Sequence, residues 1–228
     1  MKIVLDIETA GYDFDSLTES QQEFILRYAE KEKEEEVKIE KREEAIRYLS
    51  LYPFTSKIIA LGLLNIESGK SNILYLDNQS DEYENEDKTV KYKSFNEEEI
   101  LQVFWNYIKK VDTIVTFNGK NFDLPFIMLR SAILKVKPIF NLMNLKKNKI
   151  THVDLQDALC YHNIIKKFNL DFYCNTFGIK SPKDDKTNGM EIKTLYKAGK
   201  IKEIAKYCSL DLRATYELYK IWNDYLNL

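Results

Sequence analysis

The chain reads as an α/β protein built on a mixed β-sheet of about five strands flanked by helices, and three observations predict this. Short apolar runs of strand length, at Lys2 to Thr9, Lys57 to Asn65, Ser71 to Leu76, Val111 to Phe117 and Ile150 to Leu155, are separated by longer stretches with helical apolar spacing. The first of these, Ile3-Val4-Leu5, has the branching and continuity of a fully buried strand. With 228 residues, 44% of them hydrophobic, residues 1–228 are expected to bury one domain-sized core, interrupted by a charged helical insertion at about 11 to 52.

Charge and cysteine usage narrow the function classes. Thirty-four Lys and Arg against 36 Asp and Glu leave a net charge of −2, so no global basic field marks a long nucleic-acid footprint. An enzyme that grips only a chain end can still work with local lysines and bound metal. Cys160, Cys174 and Cys208 lack the paired spacing of a zinc or redox site and read as reduced core thiols of a cytoplasmic protein. Asp6 cuts the first apolar run too short for a signal peptide, and no run of 18 apolar residues spans a membrane, so no membrane association is expected.

Taken in order, Lys2 to Thr9 (KIVLDIET) is the first strand. Side chains alternate along it, so Asp6 and Glu8 share one face at its C-terminal end, the edge where open α/β sheets place ligands. Alone, such a D-x-E tripeptide reads as solvated acids in a turn. Ser16 with Glu19 predicts a capping box at the start of a helix, on which Phe24, Ile25 and Tyr28 form a short stripe. Lys31 to Glu44 is almost wholly charged, with only Val37 and Ile39 to bury, before Ala45, Ile46 and Leu49 restore helical spacing. It reads as a solvated helix or hairpin laced with pairs such as Glu34 with Lys38, in preference to a dedicated binding arm, and Pro53 ends it.

Lys57 to Asn65 and Ser71 to Leu76 flank Glu67-Ser68-Gly69-Lys70 and predict a hairpin beside the first strand. Asp77 to Lys93, acidic and poor in apolar residues, reads as a loop. Asn96 caps a helix carrying Ile100, Val103, Phe104, Tyr107 and Ile108 on one side. After the strand at Val111 to Phe117 comes a turn, then a helix over Phe122 to Leu134 whose Pro125 is tolerated only in the first turn. Asp123 therefore stands at a helix N-terminus just beyond a strand end. Lys135 to Lys149 is a basic, irregular connector, followed by the strand at Ile150 to Leu155 and by mainly helical sequence. The last helix, Lys200 to Asn227, places Ile204, Tyr207, Cys208, Asp211, Ala214, Leu218 and Ile221 on one stripe. An acid on an apolar stripe must be paired or bind metal.

Asp6, Glu8, Asp123 and Asp211 together are hard oxygen ligands suited to Mg²⁺ or Mn²⁺. Three motifs carry them: Asp6-Ile7-Glu8-Thr9, then Phe117-Asn118-Gly119-Lys120-Asn121-Phe122-Asp123-Leu124-Pro125, then Tyr207-Cys208-Ser209-Leu210-Asp211. With these the sequence resembles the DEDDy class of 3′-5′ exonucleases on an RNase H-like fold. It is similar to the predicted exonuclease family resembling the proofreading domain of family-B DNA polymerases. The likeness extends to His152-Val153-Asp154-Leu155, Phe177-Gly178-Ile179, and Gly189-Met190-Glu191 through Leu195-Tyr196, leaving out about residues 11 to 52. The sister class with a catalytic histidine would carry it five residues before the last aspartate; Lys206 stands there, so the tyrosine class fits.

The resemblance implies a metal-dependent exonuclease that hydrolyses phosphodiester bonds at the 3′ end of single-stranded nucleic acid, DNA more than RNA, and releases nucleoside 5′-monophosphates. Two divalent cations, roughly 3.5 to 4 Å apart, would clamp the scissile phosphate. Asp6 would bridge them, Glu8 and Asp211 would complete one site, Asp123 would hold the other through water, and Tyr207 would orient the nucleophilic water. Thr9, Asn118 and Phe122 would contact the terminal nucleotide or line its pocket, each having an alternative as a turn or packing residue. Two further readings stay open: an inactive RNase H-like binding module, and an assembly partner engaging another protein through insertion residues 13–50. His152 and His162 read as structural, and Asp154 and Asp157 as helix caps in preference to additional acids near the site. Lys166, Lys167, Lys180, Lys183 and Lys186 read as scattered surface charge that could touch phosphates.

Overall fold

The apolar first strand lies inside a seven-stranded sheet in a computed structural model, which describes residues 1–182 and 192–227. Strand β1 (Lys2–Gly11) leads into α1 (Glu19–Leu26), α2 (Glu35–Arg47) and a 3-10 turn at Tyr48–Leu51. Next come β2 (Ser56–Asn65), β3 (Ser71–Leu76), β4 (Glu82–Glu84), β5 (Val90–Phe95), α3 (Glu97–Ile108), β6 (Thr113–Thr116) and α4 (Asp123–Ile133). Another 3-10 segment at Leu142–Asn148 precedes β7 (Thr151–Asp154), α5 (Leu155–Leu159), α6 (Leu170–Phe177), α7 (Ile192–Lys197) and α8 (Ile201–Tyr225). The strand order is β4-β5-β3-β2-β1-β6-β7, with β1 antiparallel to β2 and parallel to β6.

Alternation along β1 sorts the two layers. Ile3, Leu5 and Ile7 pack with α3 and α4 residues such as Phe104, Leu124 and Ile127, whereas Val4 joins Ala60, Val115 and the α8 residues Cys208, Leu212 and Leu218. Asp6 and Glu8 follow Val4 at intervals of two, so the strand itself directs them to the α8 layer.

The stretch expected as a loop, Asp77 to Lys93, instead supplies β4 and most of β5, which raises the strand count from about five to seven. Charge hides its period of two. Tyr92 and Ser94 face inward, while Lys91 and Lys93 face outward and pair with Glu82 across the β4–β5 ladder, and Tyr83 stacks on Tyr92 at 4.7 Å. The first helix also starts later than its expected cap. Ser16 closes a 3-10 turn onto the Asp13 carbonyl, and the capping box is formed by Thr18 with Gln21.

Helices α1 and α2 bury none of their own residues, in line with a solvated pair. Lys38 reaches Glu30 at 2.7 Å in place of the expected Glu34, and Arg42 and Lys41 pair with Glu30 and Glu32. Such exposed pairs contribute about 1 kcal/mol or less each. The segment's C-terminal end differs. Leu49 is 2% exposed and packs on Gly11, and the Ser50 carbonyl accepts the Thr9 hydroxyl at 2.7 Å. Replacing residues 19–47 with a short flexible linker should therefore leave a folded protein melting within a few degrees of the parent, since loop closure costs only about 0.6 kcal/mol per doubling of length. A cut extended through Ser50 should lower the melting temperature sharply; equal melting of the two shortened proteins would overturn this boundary. Among the described residues, no helix is long and apolar enough to cross a membrane.

Candidate active site

The site is set by how closely α8 approaches the sheet. Asp6 pairs with Gly62 on β2, and a Cβ at Gly62 would stand 2.4 Å from Leu212 Cδ1 and 2.9 Å from Cys208 Sγ. The absent side chain lets the helix rest on the sheet at the level of Asp6. Cys208 Sγ accordingly lies 3.6 Å from Asp6 Oδ2. Tyr207 and Asp211 are one helical turn apart on this face, close enough that burial and then the Asp211 charge raise the Tyr207 pKa.

Asp123 arrives from the loop after β6. That loop turns back tightly: Asn118 has φ 62°, and a Cβ at Gly119 would come within 2.5 Å of the Thr116 side chain. Asp154 holds it. Its carboxylate accepts the backbone N–H of Asn118 and of Lys120, each at 2.9 Å, and also caps α5 through Gln156 at 3.1 Å and Asp157 at 3.4 Å. The cap expected at Asp154 is thus present, whereas Asp157, also expected as a cap, lies inside α5 and faces Lys120 and His162; the hold of Asp154 on the Asp123 loop was missed, because sequence spacing does not reveal which loop a cap residue faces. Asp123, 3% exposed at the start of α4, accepts the Ile7 N–H at 3.0 Å, so it is fastened to β1 at the residue between Asp6 and Glu8.

Ligand oxygens of Asp6, Glu8 and Asp211 all lie within 4.8 Å of one another. Burial raises the pKa of Asp6 well above the usual carboxylate range, and the charges of Asp123, Glu8 and Asp211 add to the rise; Glu8 is raised likewise by burial and by Asp211 and Asp123. Asp123 is pushed up to about 7 by burial, against the lowering effect of its backbone hydrogen bonds. Burial and the same acids raise Tyr207, which keeps its proton at neutral pH. Mutually repelling, desolvated oxygens at this spacing fit a hard divalent cation, whose binding would remove the repulsion.

A pH dependence follows. Asp123 has a folded pKa of about 7 against an ordinary 3.8, so between these values the folded state holds more protons than the unfolded one. Metal-free stability should fall as pH rises through that window, while stabilisation by Mg²⁺ or Mn²⁺, which competes with the same protons, should grow. Melting curves at pH 5, 6, 7 and 8, with EDTA or with metal, test this; a metal-induced shift independent of pH would contradict the assignment.

Each of the three expected substrate contacts has a partner within the protein. The Thr9 hydroxyl donates to Ser50, Asn118 Oδ1 accepts from Asn121 Nδ2 at 2.9 Å, and the Phe122 ring packs 5.4 Å from that of Phe126. All three cysteines are free and buried, as expected, although Cys208 borders Asp6 as well as the core. His152 bonds Thr116 Oγ1 at 2.9 Å, a structural role, and His162 meets Asp157 at 2.9 Å. Lys166 lies over the Phe168 ring, while Lys183, Lys186 and the Gly189-Met190-Glu191 motif fall outside the described residues.

Fold and acid cluster together define an exonuclease-like α/β domain. The chain belongs to the family described as predicted 3′-5′ exonuclease related to the exonuclease domain of PolB, whose profile matches residues 54–224. That span holds Asp123, Tyr207 and Asp211; Asp6 and Glu8 precede it. A DNA polymerase of Methanocaldococcus jannaschii is 27% identical over 162 residues, which is 60% of this chain and 10% of that protein. A DNA polymerase of Pyrococcus glycovorans is 31% identical over 140 residues, 54% of this chain and 18% of that protein. The chain thus spans under a fifth of the length of these relatives. The structure of the family B DNA polymerase from Pyrobaculum calidifontis shares the fold, with a TM-score of 0.62 and 15% identity over 97% of this chain and 24% of that one.

Proposed function

We propose that the chain is a DEDDy-type, divalent-metal-dependent 3′-5′ exonuclease that removes nucleoside 5′-monophosphates from single-stranded nucleic acid, DNA in preference to RNA. The observation that carries this reading is the convergence of Asp6, Glu8 and Asp211 oxygens within 4.8 Å, with Asp123 fastened to β1 between the first two. Asp6, Glu8 and Asp211 would hold one cation, Asp6 would share a second, and Asp123 would reach the second through water. When bound, such cations supply Lewis-acid stabilisation of charge on the phosphate and activate water.

The chain's own residues do the rest. Tyr207, protonated and one turn from Asp211 on α8, offers a hydroxyl that orients the attacking water by accepting or donating a hydrogen bond. Helix α8 fixes that hydroxyl relative to the carboxylates because it carries both Tyr207 and Asp211. Phe122 and the Asn118 loop would pack against the terminal nucleotide, and Thr9 would border it from β1.

Digestion of matched 5′-labelled DNA and RNA oligomers with Mg²⁺, Mn²⁺ or EDTA tests the reading; a ladder shortened from the 3′ end with metal supports it, and intact oligomer overturns it. Tyr207→Phe keeps the ring in its packing place and removes only the hydroxyl. Turnover should fall by about a hundredfold, within the range for positioned proton-handling groups, while the metal-induced rise in melting temperature stays at the parent value. Unchanged turnover would return Tyr207 to a packing role.

A further inference from the structure

The basic connector seen in the sequence packs against α4 and the edge strand β7. From Leu124 to Val153 the chain carries Arg130 and five lysines and no Asp or Glu, in a protein whose net charge is −2. Arg130 is buried and paired with Glu97 at 2.6 Å, so the exposed charge of this run is that of Lys135, Lys137, Lys146, Lys147 and Lys149. A groove of about 780 Å³ along the edge strand β7 is lined by Lys120 and Leu124 and, on the connector, by Met143, Lys146 and Lys149. Lys120 lies in the loop before Asp123 and Leu124 follows it in α4, so the groove wall is continuous in sequence with Asp123.

Acids in the groove wall leave this charge largely uncancelled. Asp154 is occupied by four backbone N–H groups, and Asp157 faces Lys120 at 3.4 Å and His162 at 2.9 Å. Among the described residues, neither Lys146 nor Lys149 pairs with a carboxylate. Lysines often guard exposed sheet edges, yet β7 itself, Thr-His-Val-Asp, contains none. The four residues of β7 cover about 13 Å, which matches the rise of about four stacked nucleotides.

We propose that this groove binds the phosphodiester backbone of the single strand upstream of its 3′ end, with Lys120, Lys146 and Lys149 as the phosphate contacts. The assignment rests on the exonuclease reading for the direction in which the strand runs. It gives a polyanionic ligand a positive track up to a cluster of acids that would otherwise repel it. Exposed Met143 gives the bases an apolar surface.

The test is anisotropy of a 5′-fluorescent oligodeoxythymidylate of roughly twelve nucleotides, titrated with the full chain in EDTA at several salt concentrations, so that binding is read without hydrolysis. The variant is Lys146→Gln with Lys149→Asn, Asn being chosen because Lys149 has φ 59°, where Asn is tolerated. Lys109→Gln with Lys110→Gln, at the C-terminal end of α3 and outside the groove lining, carries the same charge change as a control. The groove variant should weaken binding about tenfold at low salt and make the slope of log affinity against log salt shallower by about 1.4, two phosphate contacts at about 0.7 each on single strands. The control should bind as the parent does. Equal slopes for all three, or equal loss in both variants, would overturn the groove even if the protein hydrolyses DNA. A slope change without any metal-dependent hydrolysis would uphold the groove and refute the exonuclease reading. A circular dichroism spectrum identical to the parent's excludes misfolding, and Lys146→Arg with Lys149→Arg should restore the slope.

Discussion

Asp6→Ala should reduce metal-dependent hydrolysis by at least about a thousandfold, the loss expected when several kcal/mol of metal-borne stabilisation is removed. Asp6 is the residue whose neighbours include all three other acids, so its loss disturbs each proposed cation position. The metal-free variant should be no less stable than the parent. Removing one of four mutually repelling, desolvated carboxylates relieves strain when no cation is present, and a melting temperature equal to or a few degrees above the parent's is expected in EDTA. The shift produced by Mg²⁺ or Mn²⁺ should shrink or disappear. An active Asp6→Ala protein would end the two-metal proposal.

Gly62→Ala should be nearly as damaging, although it touches no proposed ligand. The added methyl would stand 2.4 Å from Leu212 Cδ1 and 2.9 Å from Cys208 Sγ, so α8 must lift or the strand must shift. Overpacking of this kind costs about 1 to 3 kcal/mol, or roughly 2 to 12 °C of melting temperature in a chain of this size. The same displacement carries Tyr207 and Asp211 away from Asp6 and Glu8. Turnover should therefore fall by more than about a hundredfold, since a shift near 1 Å in a catalytic constellation has that effect. The metal-induced stabilisation should weaken in parallel. A cold, fully folded Gly62→Ala protein with parental turnover would show that the helix approach does not set the site.

Much of this arrangement was legible in residue order. The Ile3-Val4-Leu5 run identified the buried strand, and its period of two sent Asp6 and Glu8 to one face. Asn96, Pro125 and the apolar stripe from Ile204 to Leu218 marked the helices that follow, because capping, proline and helical periodicity are local effects. Asp211 stood out as a charge on that stripe for the same reason. Strands β4 and β5 escaped notice, since at a charged sheet edge the outward lysines are satisfied only by a partner strand, Glu82 with Lys91 and Lys93.

Distances between segments were settled by tertiary packing. That Gly62 admits α8 beside Asp6, that Asp154 grips the Asn118 loop, and that the Ile7 amide fastens Asp123 are contacts between residues separated by 36 to 150 positions. Residue pattern reports which face a side chain occupies within its own element. It carries no record of which other element covers that face, or how closely, because that depends on how all the layers pack together at once.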